Sequence, residues 1–400
     1  MSSSSRKRSR PDDNDHDHDN NEASSTPARS DRQIDQDTPR ASKFAQTRLP
    51  EWSPFSACHI RNSPSRTSST SNQSAPSSQS RHGAVSNKSS PSKQFRNAEL
   101  NESGFSVGNF SRHAHPENLK NLRLELRDIG AGYGFLPASL ESELRAFDFE
   151  IPPYAFDKNE ATRAKTEATA ASLPSFSWIK GLVDRAVVCQ TDREGEASWN
   201  ADVHAPILEQ VFRSDRFTSR DMVDFRWCPS AQILPAYRPR DAPSKMVDFC
   251  LFIRPDPGSS EERVIEAVCR LRPGQSINHT DLGNFCKHPI ALSIETKRPG
   301  EQGESATLQM GTWLSAQWRS LQGPFISFLP GLIVQGHVWQ FVASIKDESG
   351  KPLLLQTVHL GSTDTEIGAY SLIVGLQRLK RWVKDEYWRM FIASMLSDVV

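Results

Sequence analysis

Leu, Ile and Val are nearly missing from residues 1–105, and beyond that point they return in regular patterns. Leu119, Leu122 and Leu126 recur at spacings of three and four, one stripe of a short helix. Leu136, Leu140, Leu144 and Phe147 predict a second helix, with Gly130, Gly132 and Gly134 as a break between them. That glycine stretch reads as a turn and not as a phosphate-cradling loop, because no strand precedes it and no Lys-Ser/Thr follows. Helical patterns resume over 177–188 and 203–212. The second half changes period. Residues 222–227, with 232–237 as an extension, 246–254 and 289–297 predict strands, while 261–271 fits a helix or a further strand. Residues 304–321 carry Met310, Leu314, Trp318 and Leu321 on one helical stripe. Three more strands follow at 332–335, 339–345 and 353–360, the last two joined through Asp347-Glu348-Ser349-Gly350. Leu372, Leu376, Leu379, Val383, Tyr387 and Met390 mark a long closing helix. The fold class is therefore α+β, a mixed sheet flanked by helices.

Composition sharpens the domain division. Residues 1–105 are rich in Ser, Pro, Asn, Asp and Arg, and such a segment cannot bury enough apolar surface to offset its ordering entropy. A long disordered N-terminal tail over 1–105 is expected, followed by a folded domain over 106–400 whose first part, 106–215, is helical. Within the tail, Arg6-Lys7-Arg8-Ser9-Arg10 reads as a nuclear import signal or as a charged terminus neutralised by the aspartates that follow. His16 and His18 belong to that acidic tract and not to a metal site. Thr26-Pro27, Thr38-Pro39, Ser53-Pro54, Ser63-Pro64 and Ser90-Pro91 suit proline-directed phosphorylation. The whole chain balances 48 basic against 48 acidic residues, so any nucleic-acid-binding field must be local. The 6 cysteines show no CxxC pair and read as buried free thiols. No apolar leader and no membrane-length apolar run is present, which predicts a soluble intracellular protein with no membrane partner.

The chemistry concentrates at one tripeptide. Glu295-Thr296-Lys297 closes the apolar run Ile290-Ala291-Leu292-Ser293-Ile294, and it is the only place where an acid is followed two residues later by lysine. On a strand the two side chains share a face. Asp248, ahead of Phe249-Cys250-Leu251-Phe252-Ile253, is the candidate partner acid. Two carboxylates, joined by the Thr296 carbonyl, can hold a hard divalent cation, while Lys297 orients a water molecule or stabilises developing charge. A Glu-x-Lys pair is also the makings of a surface ion bridge, so the reading depends on Asp248 lying beside it. Arg298 is a candidate phosphate contact.

A helix, Asp248 on one strand, Glu295-Thr296-Lys297 on the next, and a helix carrying Gln309 together resemble the PD-(D/E)XK nuclease superfamily. Within it, the likeness is to the nuclease-like branch found mainly in fungal proteins. The resemblance covers residues 110–395. It implies a restriction-endonuclease-like αβββαβ core, a magnesium ion with manganese as a substitute, and a nucleic-acid substrate, DNA ahead of RNA. By that resemblance Asp248 and Glu295 match the metal-binding acids and Lys297 the catalytic lysine. Glu209, in Pro206-Ile207-Leu208-Glu209-Gln210, is the candidate match for an acid that some members place on the first core helix. Gln309, with Trp313 four residues on, is similar to a Gln-x-x-x-Tyr element beside the active site of some branches. Val247 stands where the family name has proline. The stretch between Asp248 and Glu295 is long for neighbouring strands and requires an inserted helix or excursion. The alternative is a catalytically inactive relative that binds nucleic acid or a protein.

Overall fold

Short apolar runs bounded by turns become strands, and here they build two sheets. The structure is a computed structural model describing residues 90–396, apart from 149, 160–161, 163–171, 214–220, 241–246, 302 and 322. The expectations for the tail up to Ser63-Pro64, including Arg6–Arg10, His16 and His18, lie outside the described residues. The strands are β1 (Ser106–Asn109), β2 (Leu136–Pro137), β3 (Phe156–Asp157), β4 (Val223–Trp227), β5 (Phe249–Ile253), β6 (Ile290–Lys297), β7 (Leu329–Gln335), β8 (Val338–Lys346) and β9 (Pro352–Ser362). β2 and β3 form a small pair, and the other seven order as β1-β9-β8-β7-β6-β5-β4. The pairs β6–β7 and β1–β9 are parallel and the remaining neighbours antiparallel, so the sheet is mixed as expected.

β6 lies near the middle of this sheet and is buried at every position, in keeping with the apolar run Ile290-Ala291-Leu292-Ser293-Ile294 that opens it. Helix Ala205–Phe212, strands β4, β5 and β6, helix Gly303–Ser320 and β7 follow one another as an αβββαβ core. Residues 261–271, for which helix or strand was open, lie in helix Ser260–Leu271, capped by the Ser259 hydroxyl accepting from the Glu262 N–H. This helix is the excursion between β5 and β6. After it, the Asn278 side chain accepts from the Ile290 N–H at 2.9 Å and seats the start of β6. The Asp347–Gly350 turn joins β8 and β9 as a hairpin, and helix Glu366–Trp382 packs against β9, with Leu372, Leu376 and Leu379 buried.

Three expectations are corrected. The tail boundary near 105 falls too late, because Pro91–Leu100 is a helix and β1 follows it directly. Two aromatics hold this segment: Phe95 meets Phe105 edge to face at 6.3 Å, and Phe105 lies against Gly311, where a Cβ would come within 2.1 Å of its ring. So few apolar residues leave no periodic signal. The stripe Leu136–Phe147 is not one helix. Its first part is β2 and a 3-10 turn, and only Glu141–Phe147 is α-helical. Residues 232–237 are irregular and do not extend β4. The described cysteines, Cys189, Cys228, Cys250, Cys269 and Cys286, are free thiols as expected.

Candidate active site

The register of β5 on β6 decides whether Asp248 meets Glu295. Phe249 pairs with Ile294, so the residue before β5 comes level with Glu295 across the antiparallel ladder. The Asp248 N–H donates to the Ile294 carbonyl at 3.0 Å. Its Oδ2 accepts from both the N–H and the hydroxyl of Thr296, each at 2.8 Å, although the two residues lie 48 positions apart. On β6 the alternation holds as read from the sequence: Lys297 Nζ donates to Glu295 Oε1 at 2.6 Å. It also donates to the Thr296 carbonyl at 2.7 Å. Glu295 is 1% exposed, and Asp248 and Lys297 are 8% exposed. The surface ion bridge is thereby excluded as the reading of this pair.

A third acid completes the cluster, and it is not Glu209. Lys297 Nζ donates at 3.2 Å to Glu196 Oε2, in the first turn of the short helix Glu196–Trp199. Glu209 instead lies 3.6 Å from Arg213, whose Nε bonds Asp224 of β4 at 3.0 Å. At about 100° per residue, the thirteen steps from Glu196 to Glu209 put the two acids on different sides of the helical run. A π-helical turn, Asn200–His204, interrupts that run. It is fastened by His204, whose Nε2–H donates to the Gly336 carbonyl at 3.1 Å while Nδ1 lies 2.8 Å from the Asn200 side-chain amide. The Gly336 N–H in turn donates to the Lys297 carbonyl at 2.8 Å. A continuous set of bonds thus links the Glu196 helix to the end of β6. No motif in the sequence flags Glu196. An acid opening a helical run upstream of the strands is the one signal that could have found it.

Gln309 is half-buried and accepts from Ser305 Oγ at 3.2 Å within its own helix. Among the described residues, the side-chain hydrogen bonds of Asp248, Glu295 and Lys297 run to Thr296, to Glu196 and to one another, and not to Gln309. Trp313 is fully buried and donates from Nε1 to Ser293 Oγ at 2.9 Å, so it pins the helix to β6 two residues from Glu295. Arg298 is half-exposed and pairs with Glu301 at 3.1 Å.

Two carboxyls, Glu295 and Glu196, bond one ammonium beside the Asp248 carboxyl, and burial governs the protonation of all three. Desolvation pushes the Glu295 carboxyl well above the usual carboxylate range, and the Asp248 charge adds to the rise. Burial raises Asp248 too, against the two Thr296 bonds, and raises Glu196. Burial alone would lower the Lys297 ammonium, but the Glu295 carboxylate it donates to carries it above the ordinary lysine range. The site is therefore acid-rich around a retained positive charge. Glu295 Oε2 is buried and has no hydrogen-bond partner among the described residues, a costly state that a cation would relieve. Among the described residues no three His, Cys, Asp or Glu side chains form a ready metal cage. A cation here would rest on Asp248, Glu295 and the Thr296 carbonyl, an all-oxygen donor set that suits a hard ion.

An αβββαβ core with an acid heading the second strand and Glu-x-Lys ending the third defines a restriction-endonuclease-like domain. The chain belongs to the PD-(D/E)XK nuclease superfamily, whose pattern it matches over residues 143–388. That span contains Glu196, Asp248, Glu295, Lys297 and Gln309. Membership associates the domain with nuclease-type phosphodiester hydrolysis. Neither a curated protein nor a solved structure matches the chain significantly.

Proposed function

We propose that this protein is a magnesium-dependent nuclease, with manganese as an effective substitute and DNA preferred to RNA. The observation that carries the reading is the buried, unpartnered Glu295 Oε2 beside an ammonium that already gathers Glu295, Thr296 and Glu196. Asp248, Glu295 and the Thr296 carbonyl would hold the cation. When bound, it would screen phosphate charge and lower the pKa of a water ligand. Asp248 is kept in place by its two bonds from Thr296. Lys297 positions the attacking water and offsets charge on the scissile phosphate, while Glu196 draws its ammonium to the mouth of the cluster. Lys297 now occupies oxygens that the cation would use, so the two compete for Glu295 Oε1 and the Thr296 carbonyl. No helix among the described residues is long and apolar enough to cross a membrane.

The test is cleavage of single- and double-stranded DNA and RNA by the purified chain, with and without magnesium or manganese. Asp248→Asn and Glu295→Gln should remove cleavage and weaken cation binding together. Lys297→Met should remove cleavage while cation affinity is kept or raised. Cation binding with no cleavage of any substrate would replace the nuclease with a nucleic-acid-binding or protein-binding relative. Cleavage that survives Glu295→Gln would sink the site assignment.

A further inference from the structure

A second concave feature lies away from the carboxylate–lysine cluster. β1 pairs with β9 only as far as Asn109 opposite Gln356, so the next residues of β9 pass beyond the end of their neighbour. The C-terminal end of helix Glu117–Gly130 covers that open edge. It approaches so closely that a Cβ on Gly130 would lie 2.0 Å from the His359 carbonyl oxygen. Beside this contact is a cavity of about 490 Å³, within the size range of small-ligand sites. Its walls include Ser111, Arg123, Arg127, Thr357 and His359, and among the described residues no carboxylate lines it.

The cation supply of this cavity is underused. Arg123 has no carboxylate partner among the described residues. Its guanidinium lies 5.6 Å from the Phe110 ring centroid, and its Nε is buried with no hydrogen-bond acceptor. A buried donor left unpaired is costly, and native structures relieve it with a partner, a water or an ion. Arg127, one turn further on, shares the same helix face. Its ion pair is with the adjacent Asp128 at 2.8 Å, both half-exposed, and such a pair restrains a guanidinium weakly. We propose that the cavity binds a phosphate group, with Arg123 and Arg127 as a guanidinium pair and the Ser111 and Thr357 hydroxyls as further donors. Guanidinium forks match phosphate oxygens in geometry and charge. The helix end at Gly130 opposes an anion, so the two arginines decide the affinity. β9 stands three strands from β6, about 14 Å at the usual strand spacing, so this site is separate from the carboxylate cluster. The phosphate comes either from a free phosphate or mononucleotide, or from the backbone of a nucleic acid.

The test is calorimetric titration of the full chain with inorganic phosphate, adenosine monophosphate and a short single-stranded oligonucleotide, in chelator so that no divalent cation takes part. Wild type should bind at least one of the three. Arg123→Gln and Arg127→Gln should each weaken that binding at least tenfold. An oligonucleotide bound much more tightly than the mononucleotide identifies a backbone phosphate as the source, and equal or reversed affinities identify a free one. Because Arg127 is exposed, Arg127→Gln decides the matter even if Arg123→Gln does not fold. No binding of any probe, or binding that survives Arg127→Gln, overturns the proposal. The outcome is independent of whether the protein cleaves nucleic acid, since chelator suppresses that reaction.

Discussion

Acidification should destabilise this fold through two imidazoles that are wholly buried, His204 and His279. Burial holds His204 at a pKa of about 4 and His279 at about 3, against 6.5 for a free imidazole. The unfolded chain therefore takes up these protons first. The stability held by neutral burial is fully present above about pH 6.5 and is lost as pH falls toward the folded values. Between pH 7 and 5.5 each histidine should contribute about 1.2 kcal/mol of loss, or roughly 2.5 kcal/mol for the pair. That is a large fraction of a typical stability of about 5–15 kcal/mol. The raised carboxyls of Glu196, Asp248 and Glu295 act in the opposite sense, because the folded state binds their protons more readily. The clean measurement is therefore a difference between variants. His279 touches Trp313 edge to face at 4.3 Å, and neither of its ring nitrogens has a hydrogen-bond partner. Replacing it with an apolar side chain removes a titrating group and two unpaired polar atoms at once. Urea unfolding of wild type and His279→Met at pH 7.0, 6.0 and 5.5 should show the variant losing about 1.2 kcal/mol less over that interval. It should be no less stable than wild type at pH 7. Parallel pH dependences in the two proteins would show that His279 is not held neutral by burial, and the argument would fail.

Glu196→Gln should reduce any metal-dependent cleavage at least tenfold with little change in melting temperature, whereas Glu209→Gln should leave cleavage within twofold; steady-state rates on one DNA substrate check both. Gly311→Ala places a methyl where the Phe105 ring lies, and such overpacking costs roughly 1–3 kcal/mol. It should also expose the Pro91–Leu100 helix to limited proteolysis, which mass mapping would read. Leu376→Ala empties a fully buried position under β9 and should cost about 2–5 kcal/mol in urea unfolding.

Glu295 and Lys297 were legible in the sequence because both follow from a local period: two residues apart on a strand share a face whatever the rest of the chain does. The same locality made the helix over 303–320, the closing helix and the hairpin after β8 readable, and the α+β order with them. Asp248 was readable as an acid heading an apolar run, but its approach to Thr296 across 48 positions rests on the register of β5 against β6. Glu196 was not singled out by any motif. It reaches Lys297 across 101 positions, held there by a π-turn and the His204–Gly336 contact, and no periodic pattern encodes which distant helix end a strand will meet. Glu209 carried the right residue type on the right element, yet its direction depends on the π-turn Asn200–His204 that precedes it, which no local period encodes. The start of the fold near Pro91 was hidden for a related reason: Phe95 packs on Phe105 and Phe105 on Gly311, and single tertiary contacts leave no trace in composition. The sequence by itself determined the elements and the strand face that carries the chemistry. Only the packed structure decided which acid joins Lys297 and left Glu295 Oε2 unpartnered, because both depend on distances between segments that are remote in the chain.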